Sequence, residues 1–215
     1  MKSISCVIFD MDGVIVNTEP LHKKAYFSIF ESLGLTVSNE LYNSLTGTST
    51  INAFEKLVAH FKLTESPQEL VLKKRAVFVN LFKNDPSLSL IEGVEKIIQY
   101  LYAKNITMVL ASSASMETIN WVFNRFQLSQ YFIAKLSGVD LKQSKPHPEI
   151  FEKAVYIANK AKEHCIVIED SDNGILAAKN AGIFCVGYVS KNSKQQTLLN
   201  ADLIIENFEE LKEFI

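Results

Sequence analysis

Two aspartates, two residues apart, form the first stretch of this sequence that could do chemistry. A run of β-branched and aromatic residues from Ile4 to Phe9 leads to Asp10, and Asp12 stands directly before Gly13. The run is typical of a short buried strand, and glycine lets the backbone turn sharply after it. Carboxylates this close repel each other, and a hard divalent cation such as Mg²⁺ is the commonest reason for such a pair. A solvated turn after an edge strand is the alternative on this stretch alone.

Other polar residues stand where further predicted strands end, or in the loop between those strands. They are Ser112 and Ser113, Glu169 and Asp170, and the loop residue Lys145. Because the carboxyl ends of neighbouring parallel strands meet in one crevice, we expect these groups to converge there. Taken singly, each has an ordinary explanation as a helix cap, a turn or a solvated loop residue.

This combination of groups suits phosphoryl transfer, which depends on positioning and on neutralising charge. Asp10 and Asp170 can each give a carboxylate oxygen to Mg²⁺, with Glu169 as a third ligand or a support behind them. Lys145 and Ser112 can hold the phosphoryl oxygens. An aspartate can act as the nucleophile through an aspartyl phosphate, and a second acid two residues later can serve as general acid and then as base.

The elements that must position these residues follow from the hydrophobic pattern. Strands and helices alternate after residue 87, which predicts a doubly wound, Rossmann-like parallel sheet. One of its short strands is expected around Phe132 and Ile133. Residues 18–82 have helical periodicity with no strand between, which predicts four helices of an all-α insert. We therefore expect an α/β core of residues 1–15 and 87–215 and a helical domain of residues 16–86.

Composition limits the classes of function. The 215 residues are 47% hydrophobic and 21% charged, with a formal net charge of −2. Such a chain has no basic field for nucleic acid, and no apolar run reaches the roughly 18 residues that a membrane span needs. The sequence enters a strand-like run within a few residues, without a secretory signal, so we expect a cytoplasmic protein. We also expect a monomer.

The cysteines support the same compartment. There are three of them, Cys6, Cys165 and Cys185, all within apolar, strand-like runs. Their odd number and wide spacing argue against a disulfide framework and against a zinc site. We expect free, buried thiols in a reducing compartment.

Four motifs of the sequence together resemble those of the haloacid-dehalogenase-like hydrolases. They are Asp10-Met11-Asp12-Gly13-Val14, Ser112, Lys145-Pro146-x-Pro148 and Glu169-Asp170-Ser171-x-x-Gly174. The likeness covers nearly the whole chain, including the helical insert, which corresponds to the family's α-helical cap. It is closest to the β-phosphoglucomutase-like and sugar-phosphate phosphatase branch.

The resemblance implies a role for each motif. Asp10 would be the nucleophile, and Asp12 would be the general acid and base. The main-chain carbonyl of Asp12 would also bind Mg²⁺, and Glu169 and Asp170 would complete the metal site. The second and third motifs would bind the phosphoryl group through Ser112, Ser113 and Lys145. An acid at position 12 also argues against dehalogenation, because the dehalogenases of the family lack it.

The resemblance also points to substrate-binding residues in the helical domain. They are Thr18, His22, Gly47 and Lys74, with Arg75 as an alternative to Lys74. An exposed helical face is the ordinary explanation for His22 and Lys74. Thr50 stands where the mutases carry an arginine for the distal phosphate, and residues 113–116 lack the lysine expected there. Because an arginine can bind a phosphate through two parallel hydrogen bonds, its absence weakens the case for a mutase.

We therefore expect a Mg²⁺-dependent phosphatase that hydrolyses a small phosphomonoester, such as a sugar phosphate, through an aspartyl phosphate. A β-phosphoglucomutase is the alternative within the family. A phospho-acceptor signalling domain gathers similar groups at strand ends, but the helical insert has no place in it. A binding domain without activity is the third alternative, and the intact Asp10, Asp12, Lys145 and Asp170 argue against it.

Overall fold

The computed structural model describes residues 3–45, 50–189 and 197–215. The chain forms two compact units, one of Met1–Asn17 with Ser89–Ile215 and one of Thr18–Leu88. Among the described residues, no helix combines the length and apolar character needed to cross a bilayer.

The first unit is built on a six-stranded sheet in which every neighbouring pair of strands is parallel. Its strands are β1 (Cys6–Phe9), β2 (Thr107–Ser112), β3 (Ala134–Ser137), β4 (Cys165–Glu169), β5 (Phe184–Tyr188) and β6 (Leu203–Ile205). Their order in the sheet is β3-β2-β1-β4-β5-β6, so the chain adds strands to one side of β1 and then to the other, as in a Rossmann-type sheet. The predicted doubly wound parallel sheet is therefore confirmed.

The second unit is all-helical over its described residues. Its helices are α1 (Glu19–Ser32), α2 (Asn39–Asn43), α3 (Thr50–Phe61) and α4 (Pro67–Asn84). Pro67 opens α4, where Ser66 and Glu69 form a capping box that satisfies the first backbone N–H groups. Aromatic side chains, among them Phe30 and Phe54, fill the core of this unit.

Four α-helices of the first unit and three 3₁₀ turns complete the described chain. They are α5 (Val94–Ala103), α6 (Met116–Arg125), α7 (Glu149–Ala158) and α8 (Asp172–Asn180), with the turns Gly138–Asp140, Lys162–His164 and Phe208–Glu213. Cys6, Cys165 and Cys185 lie on one face of the sheet, in the core formed with α7 and α8. All three thiols are buried and free, as predicted.

The strand expected around Phe132 and Ile133 begins instead at Ala134, so that prediction was wrong by two residues. The Phe132 ring packs edge-on against Phe9, with ring centres 5.7 Å apart. The Ile133 N–H donates to the Met108 carbonyl at 3.0 Å and leads into the ladder. Burial of its ring, rather than pairing in the sheet, accounts for the aromatic residue at position 132, whereas Ile133 is exposed.

Candidate active site

Asp10 lies at the centre of the sheet edge, one residue after β1 ends. Phe9 pairs with Leu110 of β2 on one side and with Ile168 of β4 on the other. The Asp10 N–H donates to the Ile168 carbonyl at 3.0 Å, and only 7% of the residue is exposed. The sheet register therefore brings the residues that follow β1 beside those that end β2 and β4.

Lys145 connects these three strand ends. Its Nζ donates to Asp10 Oδ1 at 2.5 Å, to Glu169 Oε1 at 2.6 Å and to the Ala111 carbonyl at 3.0 Å. Burial lowers the pKa of Lys145, but the two facing carboxylates outweigh burial and hold this pKa above its ordinary value. Lys145 is therefore a buried cation that is held against two acids.

Three carboxylates form a cluster beside Lys145, called the carboxylate cluster below. One oxygen each of Asp10, Glu169 and Asp170 lies within 4.8 Å of the other two. Burial raises the pKa of Asp10 to about 7, against the opposing charge of Lys145 and with help from Glu169 and Asp12. Burial and the neighbouring carboxylates also raise the pKa of Asp170 well above its ordinary value. Crowded oxygen-only donors of this kind fit a hard divalent cation, which would relieve their mutual repulsion.

The loop after β4 holds Glu169 in place. Glu169 Oε2 accepts from the Asp170 N–H at 3.1 Å and from the N–H and hydroxyl of Ser171 at 3.2 and 3.0 Å. The Ser171 hydroxyl also accepts from the Gly174 N–H at 3.1 Å and so caps α8. A Cβ at Gly174 would lie 1.9 Å from Glu169 Cδ, so any side chain at position 174 would displace the Glu169 carboxylate.

The turn after β1 packs against the same loop. The N–H groups of Ile15 and Val16 donate to the Met11 carbonyl at 2.8 and 3.0 Å, which closes the turn around Asp12 and Gly13. Gly13 has a φ of +86°, a conformation that glycine adopts without strain. The half-buried Asp12 lies in this turn, next but one to Asp10.

Ser112 and Ser113 follow the neighbouring strand. Ser112 is the last residue of β2 and is buried, and its hydroxyl accepts from the Ala114 N–H at 3.0 Å. Ser113 is exposed. The hydroxyl of Ser115 caps α6 by accepting from the Thr118 N–H at 3.3 Å. Ser112 and Ser113 thus lie at the end of β2, the strand that pairs with β1.

In the helical unit, His22 of α1 and Lys74 of α4 are in direct contact. Lys74 Nζ lies 2.7 Å from His22 Nδ1, and Lys74 is only 4% exposed. Its ammonium also lies 4.8 Å from the centre of the Tyr26 ring, and the His22 ring stacks on Phe78. Burial and the charge of Lys74 lower the pKa of His22 to about 3, so that Nδ1 can accept from the ammonium. Arg75, by contrast, is exposed.

The other two predicted substrate-binding residues of the helical domain are Thr18 and Gly47. Thr18 is buried, and its carbonyl accepts from the N–H groups of Leu21 and His22 at the start of α1. Gly47 lies outside the described residues.

Sequence reasoning missed two features of the site. Ser137, at the end of β3, donates its hydroxyl to the Ala114 carbonyl at 2.8 Å. No motif marks it, and the prediction that put this strand around residues 132 and 133 did not reach it. The second feature is the close approach of Gly13 and Gly174 to Asp170 and Glu169. Glycines within the motifs were the available signal, but their tertiary neighbours were not visible in the sequence.

Comparison with known proteins gives matches over nearly the whole chain. The family model of haloacid dehalogenase-like hydrolases matches residues 7–188. A phosphorylated carbohydrates phosphatase from Thermotoga maritima is 31% identical over 94% of this chain and 93% of its own length. A beta-phosphoglucomutase from Bacillus subtilis is 30% identical over 97% of this chain and 92% of its own. The crystal structure of CbbY from Rhodobacter sphaeroides in complex with phosphate matches with a TM-score of 0.80 at 25% identity, covering 97% of this chain and 96% of that one.

Proposed function

The chain belongs to the haloacid dehalogenase-like hydrolase family, and from this premise we propose that it hydrolyses a small phosphomonoester in two steps through a phosphorylated Asp10. One observation carries the proposal: the buried Lys145 ammonium contacts Asp10 within a cluster of three carboxylates. The family and its phosphatase and mutase relatives confirm the prediction of an enzyme.

In the first step, an Asp10 carboxylate oxygen attacks phosphorus, and the bond from phosphorus to the ester oxygen breaks. Asp12 gives its proton to the departing oxygen. In the second step, Asp12 takes a proton from water as the water oxygen attacks phosphorus. The bond from phosphorus to Asp10 then breaks, and inorganic phosphate and the free carboxylate are released.

Lys145 and Ser112 stabilise the charge on the phosphoryl oxygens in this proposal. Lys145 is buried and keeps its proton, because two carboxylates face it. A cation in a site shielded from water interacts more strongly with a phosphoryl group than a solvated lysine would. The hydroxyls of Ser112 and of the neighbouring Ser113 offer further hydrogen-bond donors at the end of β2.

We propose Mg²⁺ as the cofactor. Asp10, Asp170 and the main-chain carbonyl of Asp12 would hold it, with Glu169 as a further ligand or support. The donors are all oxygens, as Mg²⁺ prefers, and the carboxylate cluster supports a divalent ion at this position. When bound, the ion supplies positive charge that offsets the negative charge of the phosphoryl group.

We propose that the helical unit is the cap domain and selects the substrate through Thr18, His22, Gly47 and Lys74. The contact between Lys74 and His22 supports Lys74 over Arg75 for this role. The Thermotoga relative is named a phosphatase of phosphorylated carbohydrates, which supports a sugar phosphate as the substrate class. A buried lysine amid aromatic rings could bind the hydroxyls or the phosphate of such a ligand.

The β-phosphoglucomutase reaction is the second candidate, because the Bacillus relative is named for it. A mutase must bind two phosphates in alternation, and an arginine is the side chain best suited to hold the distal one. This chain has Thr50 at that position, and Thr50 hydrogen-bonds Tyr26 within the helical unit. Hydrolysis is therefore the function that we favour.

We further propose a cytoplasmic monomer. The free thiols of Cys6, Cys165 and Cys185 support a reducing compartment, because oxidising compartments favour disulfides. Size-exclusion chromatography with light scattering tests the oligomeric state.

The function is tested by measuring phosphate release with Mg²⁺ over a panel of sugar and nucleotide monophosphates. β-Glucose 1-phosphate is included and followed by ³¹P NMR. We expect release of inorganic phosphate from one or a few sugar phosphates and none after chelation of the metal. Conversion of β-glucose 1-phosphate to glucose 6-phosphate with little release would identify a mutase and overturn the argument from Thr50. Stable phosphorylation without turnover would identify a phospho-acceptor domain.

A further inference from the structure

Ser137 is a buried serine beside the proposed phosphate site, and no motif includes it. It is the last residue of β3 and pairs in register with Ser112, the last residue of β2. Only 3% of Ser137 and 1% of Ser112 is exposed. A polar side chain buried to this degree requires hydrogen-bond partners, and one partner of Ser137 lies in the loop that follows β2.

Two serine hydroxyls hold the backbone of Ala114 from both sides. Ser137 Oγ donates to the Ala114 carbonyl at 2.8 Å, and the Ala114 N–H donates to Ser112 Oγ at 3.0 Å. Ser137 Oγ also accepts from the Val139 N–H at 3.2 Å. The loop Ser112–Ala114 is thus fastened to the turn that follows β3.

Gly138 brings the two segments into close contact. A Cβ at this position would lie 3.1 Å from Ser113 Cα and 3.4 Å from the Ser112 carbonyl oxygen. The 3.1 Å contact is shorter than most real Cβ contacts, so a side chain at position 138 would require the backbone at Ser113 to shift by a few tenths of an ångström. The position of this loop therefore depends on both Ser137 and Gly138.

From these contacts we infer that Ser137 is a positioning residue for phosphoryl binding, an inference that rests on the proposed role of Ser112 and Ser113. A hydroxyl has one proton and two lone pairs. Ser112 accepts from Ala114 and so keeps its own proton to donate to an anion. Ser137 donates its hydroxyl hydrogen bond to the Ala114 carbonyl. It therefore acts on the loop and does not touch the ligand.

The alternative is that Ser137 only caps the 3₁₀ turn Gly138–Asp140 and contributes to stability alone. A cap affects folding, whereas a positioning residue affects the affinity for an anion at equal folding. The affinity for inorganic phosphate therefore separates the two roles.

The test titrates inorganic phosphate into the Mg²⁺-loaded protein by calorimetry. We expect Ser137→Ala to bind phosphate about tenfold more weakly than the wild type, because the loop loses a buried hydrogen bond. Ser137→Thr keeps the hydroxyl and should recover most of the affinity. The affinity for Mg²⁺ alone should not change, since none of the hydrogen bonds of Ser137 named above reaches the carboxylate cluster.

Asn207→Ala is the matched control. Asn207 caps the 3₁₀ turn Phe208–Glu213 of the same unit, accepting from the Glu209 N–H at 3.1 Å. Its loss should destabilise the protein and leave phosphate affinity unchanged. Gly138→Ala is the second variant, because it keeps every hydroxyl and should still weaken phosphate binding by displacing the loop.

Two results would contradict the inference, and they are distinguishable. In the first, the wild type binds phosphate, and the folded variants Ser137→Ala and Gly138→Ala bind it with wild-type affinity. Ser137 then has no positioning role, and the proposed function stands. If the wild type itself does not bind phosphate with Mg²⁺, the proposed phosphate site is wrong, and the inference is lost with it.

Discussion

Gly13 and Asp170 approach each other so closely that a Cβ at position 13 would lie 1.9 Å from Asp170 Oδ2. The turn after β1 therefore forms one wall of the space that the Asp170 carboxylate occupies. We expect Gly13→Ala to push this carboxylate out of the carboxylate cluster and to weaken Mg²⁺ binding by about tenfold or more. Calorimetric titration of Mg²⁺ measures the effect.

The control for this variant is Gly182→Ala. Gly182 also has a positive φ, +69°, but nothing lies within 4 Å of the position its Cβ would take. Both variants place an alanine in the left-handed backbone region, which costs about 1–2 kcal/mol. Only in Gly13→Ala does the new Cβ clash with a carboxylate. Equal Mg²⁺ affinity in the two variants would show that Asp170 does not depend on this packing.

Asp10→Asn should abolish turnover and leave the fold intact. The amide keeps the size of the side chain but lacks the negative oxygen that attacks phosphorus, so we expect kcat to fall by about 10⁴-fold or more. Circular dichroism and thermal unfolding check the fold, and Asp140→Asn on an exposed turn is the control. An Asp10→Asn enzyme with wild-type kcat would remove the nucleophile assignment.

Lys145→Met should destabilise the metal-free protein. The change leaves Asp10 and Glu169 buried without their shared cation, and breaking a buried ion pair on one side costs about 3–5 kcal/mol. Denaturant unfolding measures the loss, and Mg²⁺ should restore part of it. Lys142→Met, at an exposed position of the same loop, is the control. Wild-type stability of Lys145→Met without metal would mean that the ammonium is not needed to offset the two acids.

The contact between His22 and Lys74 predicts a pH effect on the helical unit. Burial and the charge of Lys74 lower the pKa of His22 to about 3 from an ordinary value of 6.5. Between these values the unfolded chain binds a proton that the folded chain does not, so the free energy of unfolding falls as the pH falls from 6.5 towards 3. Lys74→Met should raise the pKa of His22 and flatten this dependence.

NMR titration of the His22 ring, together with denaturant unfolding at several pH values, measures this effect. Lys73→Met, at an exposed neighbouring position, is the matched control and should leave the titration unchanged. A His22 ring that titrates identically in wild type and Lys74→Met would show that the ammonium does not influence it.

The sequence was most informative where a rule connects local pattern to position in the sheet. Asp10, Ser112 and Glu169 each follow or end an apolar run, and parallel strands bring such ends to one edge. Their convergence was therefore predictable, as was the presence of Lys145 in the loop before a helix.

Contacts that depend on tertiary packing were not predictable in the same way. His22 and Lys74 are 52 residues apart, and helical periodicity alone could not choose between Lys74 and Arg75. Ser137 was missed because the predicted strand was placed around Phe132, whose aromatic ring packs in the core, and not at Ala134–Ser137. The approach of Gly13 to Asp170 depends on two loops that no local pattern relates.

The stereochemical course at phosphorus distinguishes hydrolysis through a phosphorylated Asp10 from direct attack by water. A substrate from the active panel is prepared with a phosphoryl group made chiral by oxygen isotopes and sulfur, and the configuration of the released thiophosphate is determined. Two successive in-line displacements, first by Asp10 and then by water, each invert the configuration at phosphorus, so we expect overall retention. Inversion would mean that water attacks the substrate directly, and it would contradict a phosphorylated Asp10.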